Sequence, residues 1–410
     1  MILGVLGSDK LVTPTNALLT EVFTGVKPDK VVILAEEQPK ADVTGLRDVL
    51  SVFGLNPEVS VKVLGTGVKA WRDGLRDVEL DLADVTPGRK YMAYAVLAYS
   101  RARDVRYVYL KEESKGYHMF GYVPFDEVTV YDMRTGEEVP FDPPRTRGDF
   151  PRKSSLTPEG LTSLVNLYSL LGKVEVSTEP DPGVKEDIYE EGERLCKTRA
   201  GFLRFREEEE IRKLAESSYF IADTNVYINL GSRISRLVWA NRSFRLLPSR
   251  SVYRELSAKT ESTQKDEFPV KFHLGMQAFR ALHPKLPEVD RRFGDIALLH
   301  EVKALKSDFP ENIVLITGDK GLVNAARSQG VKSVHLSKLV ERDDGDWGEY
   351  ISCMRFFANV KVTVDGREVA VVRRTTDVKP YTEVEAVDLD FNYPKLVEKL
   401  EEFLGRKRED

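Results

Sequence analysis

The chain has 410 residues, 31% charged and 41% apolar, with a formal net charge of −5. That length exceeds one ordinary core and predicts two to three domains of a soluble globular protein. No apolar run approaches the roughly 20 residues of a membrane span, which argues against a membrane protein.

The opening MILGVLG reaches Ser8, Asp9 and Lys10 too soon for a signal-peptide core and has no basic leader, so a cytoplasmic protein is expected. Residues 2–6, 30–34 and 59–64 are β-branched apolar runs separated by helical stretches at 15–24 and 44–53. Further strands at 78–82, 105–110 and 128–131, with a helix over 89–102, complete a doubly wound α/β domain over residues 1–150. Residues 142–155, rich in Pro and Arg, read as a connector. Thr157 and Pro158 then open a helix with Leu161, Leu164, Val165, Tyr168 and Leu171 on its apolar face. STEPDPGVKED at 177–187 is the best linker, so residues 151–217 form connector helices and linker. Glu207 to Glu210 begin a solvated helix.

A second α/β domain follows over 218–345. Tyr219 to Ala222 form a buried strand ending at Asp223, after which a helix runs to about Trp239. Ser249 caps a helix containing Glu255, 271–282 and 295–306 are helical, and the strand 312–317 leads through Gly318 and Asp319 into a helix and a further strand at 331–336. Residues 346–410 form an extension: a hairpin turning at Asp365-Gly366 and a terminal helix from Tyr393. Cys196 and Cys353 lie far apart without His or Cys at zinc spacing. Two ordinary thiols are expected, with neither a disulfide framework nor a zinc site.

Two turns of the first domain fall at strand ends, where ligands of open α/β sheets bind. One carries Ser8, Thr13 and Asn16; the other is Asp84 to Lys90. In the second, Thr86 and Gly88 offer a hydroxyl and backbone N–H groups at a helix start that favours anions, and Arg89 or Lys90 adds positive charge. The plainer reading is a capped helix with solvated basic residues.

In the second domain Asp223, Glu255, Asp295 and Asp319 each belong to an element that can face one strand edge. Four carboxylates in a small space repel unless a cation sits among them, and an all-oxygen donor set suits Mg²⁺ or Mn²⁺. Such ions orient a water against a phosphodiester and stabilise the leaving oxygen. Read separately, the three aspartates are N-caps and Glu255 is an exposed helical residue. From Arg233 to Arg292 there are thirteen Lys and Arg against six Asp and Glu, a balance that fits nucleic acid. Trp239, Phe244 and Tyr253 within it offer base stacking, though Trp239 and Phe244 read first as core residues. His273, His283 and His300 read as structural.

DTN after a strand, a Glu in a mid-domain helix, DIALL opening a helix and ITGDKGLVNAA after a late strand together resemble a PIN domain. That resemblance implies a Mg²⁺- or Mn²⁺-dependent nuclease acting mostly on RNA. It makes Asp223, Glu255, Asp295 and Asp319 metal ligands, with Asn225 and Thr317 as polar positions beside them; with Asp223 a ligand, Thr224 is the better candidate for the helix cap. Gly318 stands where many members carry a further Asp or Asn, which argues against a second tightly held metal. DVTPGRKYM after strand four, with a polar turn after strand one, resembles the CRISPR-associated Rossmann fold (CARF) sensor. It implies a homodimer binding cyclic oligoadenylate through Ser8, Thr13, Asn16, Thr86, Gly88, Arg89 and Lys90. Pro87 stands where many relatives have Gly. Together they imply an ancillary ribonuclease of type III CRISPR antiviral defence that cuts single-stranded RNA. The alternatives are a cyclic-nucleotide-sensing regulator or nucleic-acid binder with an inert second domain, and a nucleotide-binding enzyme of small-molecule metabolism.

Overall fold

The computed structural model describes residues 1–40, 42–261, 269–288, 293–308 and 312–405. Among them the chain divides into two compact units. One contains residues 1–177 with 360–373 and the chain from Tyr381 onward; the other contains residues 178–359 with 374–380. The stretch 346–410 is thus shared between the two.

In the first unit, β1 (Ile2–Leu6), α1 (Val12–Phe23), β2 (Lys30–Ala35), α2 (Leu46–Leu50), β3 (Glu58–Val63), α3 (Val68–Gly74), β4 (Leu82–Asp84), α4 (Lys90–Tyr99), β5 (Asp104–Leu110), β6 (Val128–Asp132) and β7 (Glu138–Val139) follow in order. The strands form one sheet of order β3-β2-β1-β4-β5-β6-β7, parallel through β5 and antiparallel beyond it. This is the expected doubly wound α/β layout, and the order reverses between β1 and β4. Leu3, Val5, Val31, Ile33 and Val105 are buried, as near-continuous apolar strands covered on both faces require. Helix α3 gave no sequence signal, yet its Trp71 lies fully buried in a cluster with Leu64, Leu75 and Val96. The fourth strand begins later than expected. Val78 and Leu80 enter the core, but the Asp81 carboxylate accepts the Ile2 amide at 2.6 Å, so pairing with β1 starts at Leu82.

The expected connector ends in a strand, β8 (Lys153–Leu156), and α5 (Pro158–Ser169) begins as Thr157 and Pro158 predict, with the Gly160 amide donating to Thr157 Oγ1 at 3.1 Å. The expected linker is largely structured: β9 (Val174–Pro180) takes its first residues into a sheet, whose ladder outweighs the Pro and Gly content.

The second unit continues with α6 (Glu186–Ala200), β10 (Leu203–Phe205), α7 (Glu208–Leu214), β11 (Ser218–Ala222), α8 (Thr224–Leu230), α9 (Ile234–Leu237), β12 (Trp239–Ala240), β13 (Ser243–Phe244), α10 (Arg250–Glu261), α11 (Val270–Leu282), α12 (Asp295–Asp308), β14 (Asn312–Thr317), α13 (Lys320–Ser328), β15 (Lys332–His335), β16 (Leu339–Glu341) and α14 (Trp347–Met354). Its parallel sheet has the order β11-β14-β15. The helix expected from Asp223 to Trp239 breaks at Gly231. That residue has φ +54°, and a Cβ there would meet the Arg199 guanidinium at 2.8 Å. Helix α7 is also less solvated than expected, because Glu208 is buried and accepts two 2.7 Å hydrogen bonds from Arg233.

The cysteine expectation is corrected. Cys196 of α6 and Cys353 of α14 form a disulfide, with Cα atoms 5.4 Å apart across a sequence separation of 157 residues. The pairing is created by the packing of α6 on α14, which spacing along the chain cannot show. Removing both sulfurs in Cys196→Ala/Cys353→Ala is expected to cost about 2–4 kcal/mol, read as a lower denaturation midpoint with a steeper slope, because the unfolded chain is no longer cross-linked.

The chain then returns through β17 (Ala358–Val364), β18 (Arg367–Val372), β19 (Thr382–Ala386) and α15 (Tyr393–Phe403). The hairpin turns at Asp365-Gly366 as predicted, and the sheet order is β8-β19-β18-β17-β9. Helix α15 packs on β8 and α5, where buried Glu401 accepts the Thr157 amide at 3.1 Å. Among the described residues no helix is long and apolar enough to cross a membrane.

Candidate functional sites

The first unit has a hollow of about 330 Å³ at the carboxyl ends of its parallel strands. It is lined by Ser8, Thr13, Asn16, Thr86 and Gly88, five of the seven predicted binding residues, together with Tyr107, Tyr117, Phe120 and Phe125. It lies where the strand order reverses, because α1 and α4 leave β1 and β4 on either side of that point. Gly88, at φ +85°, is required by the close approach of the loop: a Cβ there would meet Met92 Sδ at 2.9 Å and the Gly7 carbonyl at 3.4 Å.

Asn16 and Thr86 are held in the hollow by local hydrogen bonds. Asn16 donates to the His118 carbonyl at 2.8 Å and the Gly116 carbonyl at 3.3 Å. Its Oδ1 is buried with no partner, as is Thr13 Oγ1. Thr86 is anchored by its amide, which donates to Asp84 at 2.8 Å, and its Oγ1 accepts the Val108 amide at 2.8 Å. Lys10 stacks over Tyr117, 3.6 Å from the ring centroid. The other two predicted residues, Arg89 and Lys90, line a neighbouring hollow with Ala93, Tyr94, Leu97 and Met133. Arg89 is turned towards Glu36 at 3.4 Å. The aromatic lining was missed because Tyr107, Tyr117 and Phe120 come from a strand and an irregular segment with no motif.

In the second unit, Asp223 ends β11 and Thr317 ends β14, adjacent parallel strands. The Thr317 hydroxyl donates to Asp223 Oδ2 at 2.9 Å and accepts the Asp319 amide at 2.9 Å, so one residue fixes both acids. Asp223 is pushed up to about 6, first by burial and then by the charges of Glu255 and Asp295, while bonds from Thr317 and the Thr224 amide oppose the shift. Asp295 is likewise raised by burial and by Asp319 and Glu255. Glu255 and Asp295 thus act on Asp223, and Asp319 and Glu255 act on Asp295.

Asp319 is also an N-cap, accepting the Leu322 amide at 3.0 Å. Thr224 does not cap α8. Its hydroxyl donates to Glu255 Oε2 at 2.8 Å, which ties α10 to the start of α8. Asn225 is exposed, and its carbonyl accepts from Asn229 at 2.8 Å.

Two supports, the half-buried Glu301 and the buried Arg199, had no sequence signal. Glu301 of α12 holds the start of α10, accepting from Ser249 Oγ at 2.7 Å and from the Arg250 amide at 2.8 Å. Arg199 of α6 donates to the Ile228 carbonyl at 2.8 Å and the Tyr227 carbonyl at 3.2 Å near the end of α8, and pairs with Glu349 of α14 at 2.9 Å.

The donor set fits a hard divalent cation in kind, since every candidate is a carboxylate and the charges of Glu255 and Asp295 act on Asp223. Among the described residues, no three His, Cys, Asp or Glu side chains converge closely enough to share one ion. The acids are therefore neighbours without forming a closed three-ligand cage.

No protein-family model matches the sequence, and no curated protein matches it. Distant likenesses exist among solved structures. Can2 from Sulfobacillus thermosulfidooxidans, in complex with cyclic tetra-adenylate, is 9% identical at a TM-score of 0.31, with 82% of this chain and 95% of that one covered. Protein VC1899 from Vibrio cholerae is 10% identical at a TM-score of 0.31, covering 82% and 93%. A type III CRISPR defence DNA nuclease activated by cyclic oligoadenylate is 11% identical at a TM-score of 0.25, covering 82% and 56%.

The aromatic expectations divide. Trp239 is 59% exposed on the β12-β13 hairpin, not in the core, whereas Phe244 is half-buried and lies 6.1 Å from the His283 ring. Tyr253 stacks on Phe279. His283 is held structurally by Tyr227 at 2.9 Å, and burial pushes its imidazole down to about 4. Part of the basic span, residues 262–268 and 289–292, lies outside the described residues.

Proposed function

We propose that the protein is a CRISPR-associated ancillary ribonuclease of type III antiviral defence. In this reading a CARF-like first unit binds cyclic oligoadenylate, and a PIN-like second unit cuts single-stranded RNA with Mg²⁺ or Mn²⁺. The observation that carries it is the group of acids at the carboxyl edge of β11 and β14, with Asp223 and Asp319 fixed by Thr317 and Glu255 held by Thr224. Asp223, Glu255, Asp295 and Asp319 would hold the ion, which supplies an activated water and charge stabilisation at the phosphate. Asp223 and Thr317 keep their places through the strand pairing, and Asn225 is a polar group on the adjoining helix.

The first-unit hollow supports the sensor half. Its aromatic walls suit purine rings, and the unpartnered Thr13 Oγ1 and Asn16 Oδ1 would accept from base amines or ribose hydroxyls. Arg89 and Lys90 next to it supply positive charge for phosphates. Exposed Tyr94 and Met133 on the neighbouring hollow are the face proposed for a homodimer. Ligand binding would shift the population between restrained and competent arrangements.

The test is cleavage of labelled single-stranded RNA with Mn²⁺, with and without cyclic tetra-adenylate, by wild type and Asp223→Asn. Cleavage stimulated by the ring and lost in the variant is the expected result; equal cleavage by both proteins removes the site assignment. One observation favours a second reading, an inert PIN-like unit in a sensing regulator: no three described acids converge on one ion. That reading predicts ring binding without metal-dependent cleavage.

Trp239 and Arg242 project from the hairpin next to the amino end of β11, where the Phe220 amide donates to the Arg245 carbonyl at 2.8 Å. This is the strand end opposite the acids. Trp239→Ala is expected to raise KM about tenfold for RNA long enough to span the strand, at unchanged kcat, and to leave short RNA unaffected. Equal KM changes for long and short RNA would count against stacking there.

A further inference from the structure

Beneath the first-unit hollow lies a buried charged group that the sensor reading does not use. Glu21, in the last turn of α1, is fully buried, and Asp84, the last residue of β4, is 1% exposed. Arg106 of β5 is the cross-strand neighbour of Asp84, and its guanidinium donates to Glu21 Oε2 at 2.6 Å and to Thr24 Oγ1 at 2.8 Å. Asp84 Oδ1 is used by the Thr86 amide. That leaves Glu21 Oε1 and Asp84 Oδ2, both buried and neither reached by any N–H or O–H donor. The two carboxyl groups are within hydrogen-bonding reach of each other.

Two carboxyl groups and one guanidinium carry a net −1 when every group is ionised. In a dry interior that charge is costly, and two orphan carboxylate oxygens face to face repel. One proton placed between Oε1 and Oδ2 makes the cluster neutral and gives both oxygens a partner. The other polar groups facing the pair are few among the described residues. They are Thr24 from the end of α1, Thr86 from the loop after β4, and Tyr107 beside Arg106, whose phenol is raised by burial and feels the Asp84 charge. Among the described residues, Arg106 is the cation that acts on both acids. Burial and Asp84 together push Glu21 up to about 8, and burial raises Asp84 as well.

We propose that Glu21 and Asp84 hold one proton between them as a positioning pair for the Thr86 loop, so that binding of an anionic nucleotide in the hollow is linked to that proton. The inference rests on the sensor reading for its ligand, but the proton itself does not. Geometry gives the route. Asp84 anchors the Thr86 amide, Thr86 Oγ1 anchors the Val108 amide, and Thr86 and Val108 both line the hollow, as do Ala17 and Thr20 on the α1 turn that carries Glu21. A second negative charge on the pair opposes an approaching phosphate, and a bound phosphate favours the protonated pair.

The sign follows by linkage. Above the ordinary glutamate range the folded chain binds more protons than the unfolded chain, so the contribution of the pair to stability is present at low pH. It is lost as pH rises towards about 8.

The test uses the full chain in wild type, Glu21→Gln, Asp84→Asn and the double variant. Either amide donates where the shared proton did, so each single variant leaves one acid facing Arg106 and remains neutral. Both single variants should fold and should lose the part of the melting-temperature decline between about pH 6 and about pH 8.5 that the pair causes. The double variant leaves Arg106 uncompensated and should melt below either single one. Affinity for labelled cyclic tetra-adenylate should fall about five- to tenfold across that range in wild type and less than about twofold in the single variants.

Identical pH profiles of melting in wild type and Glu21→Gln would overturn the shared proton. A melting difference with pH-independent affinity in wild type would overturn the linkage. Absence of ring binding at every pH would bring down the sensor reading and the linkage with it, while the melting profiles still decide the proton.

Discussion

Asp223→Asn is expected to lower metal-dependent RNA cleavage by about three orders of magnitude or more and to leave the fold as stable as wild type, or slightly more so. The two outcomes are linked by the position of the residue. Asp223 is buried at the end of β11 with its carboxyl pushed up to about 6 by burial and by Glu255 and Asp295. An asparagine there keeps an oxygen for the Thr317 hydroxyl and removes a charge from a repelling group. A site that stabilises the molecule less than its neutral isostere is the signature of a group retained for chemistry. Cleavage rate and melting temperature measured on the same preparations check it. A variant that loses activity and several degrees of melting temperature together would instead mark Asp223 as a structural cap.

Arg199→Ala is expected to destabilise the second unit by about 3–5 kcal/mol, a loss larger than that from removing the disulfide. Arg199 is 4% exposed, pairs with Glu349 at 2.9 Å and satisfies the Tyr227 and Ile228 carbonyls. Alanine leaves a carboxylate without its cation and two carbonyls without donors, and also opens space against Gly231. Denaturant midpoints of wild type, Arg199→Ala, Glu349→Gln and the double variant form a cycle. The double variant should recover part of the loss, because no unpaired charge then remains. Equal and additive losses would show that the pair contributes only packing.

The α/β class and the alternation of strands and helices could be read from the chain, because buried parallel strands must be apolar runs and their helices carry a 3.6-residue period. Asp365-Gly366, Thr157-Pro158 and Ser249 marked a turn and two helix starts through local backbone chemistry, which sequence carries directly. What sequence did not show depends on partners distant along the chain. The Cys196–Cys353 bond, the Arg199 brace and the Glu301 support each join elements separated by 50 or more residues. At strand β9, the pull of a neighbouring ladder outweighed a composition typical of linkers. Helix α8 was cut short by the guanidinium packed against Gly231. At the candidate sites, motif positions close in sequence were found together, such as Thr86 with Gly88 and Thr317 with Asp319. The Glu21, Asp84 and Arg106 cluster had no motif, because its members share only a depth in the fold.

The sheet that contains β8 and β9 is completed by β17, β18 and β19, which follow the second unit in sequence. Synthesis therefore delivers residues 178–359, with every candidate acid, before the strands that finish their host. A nascent chain that has emerged to residue 359 holds all of the second unit except residues 374–380, attached to a first unit still missing β18, β19 and most of β17. The order of translation thus puts the acid-bearing unit ahead of the completed first unit.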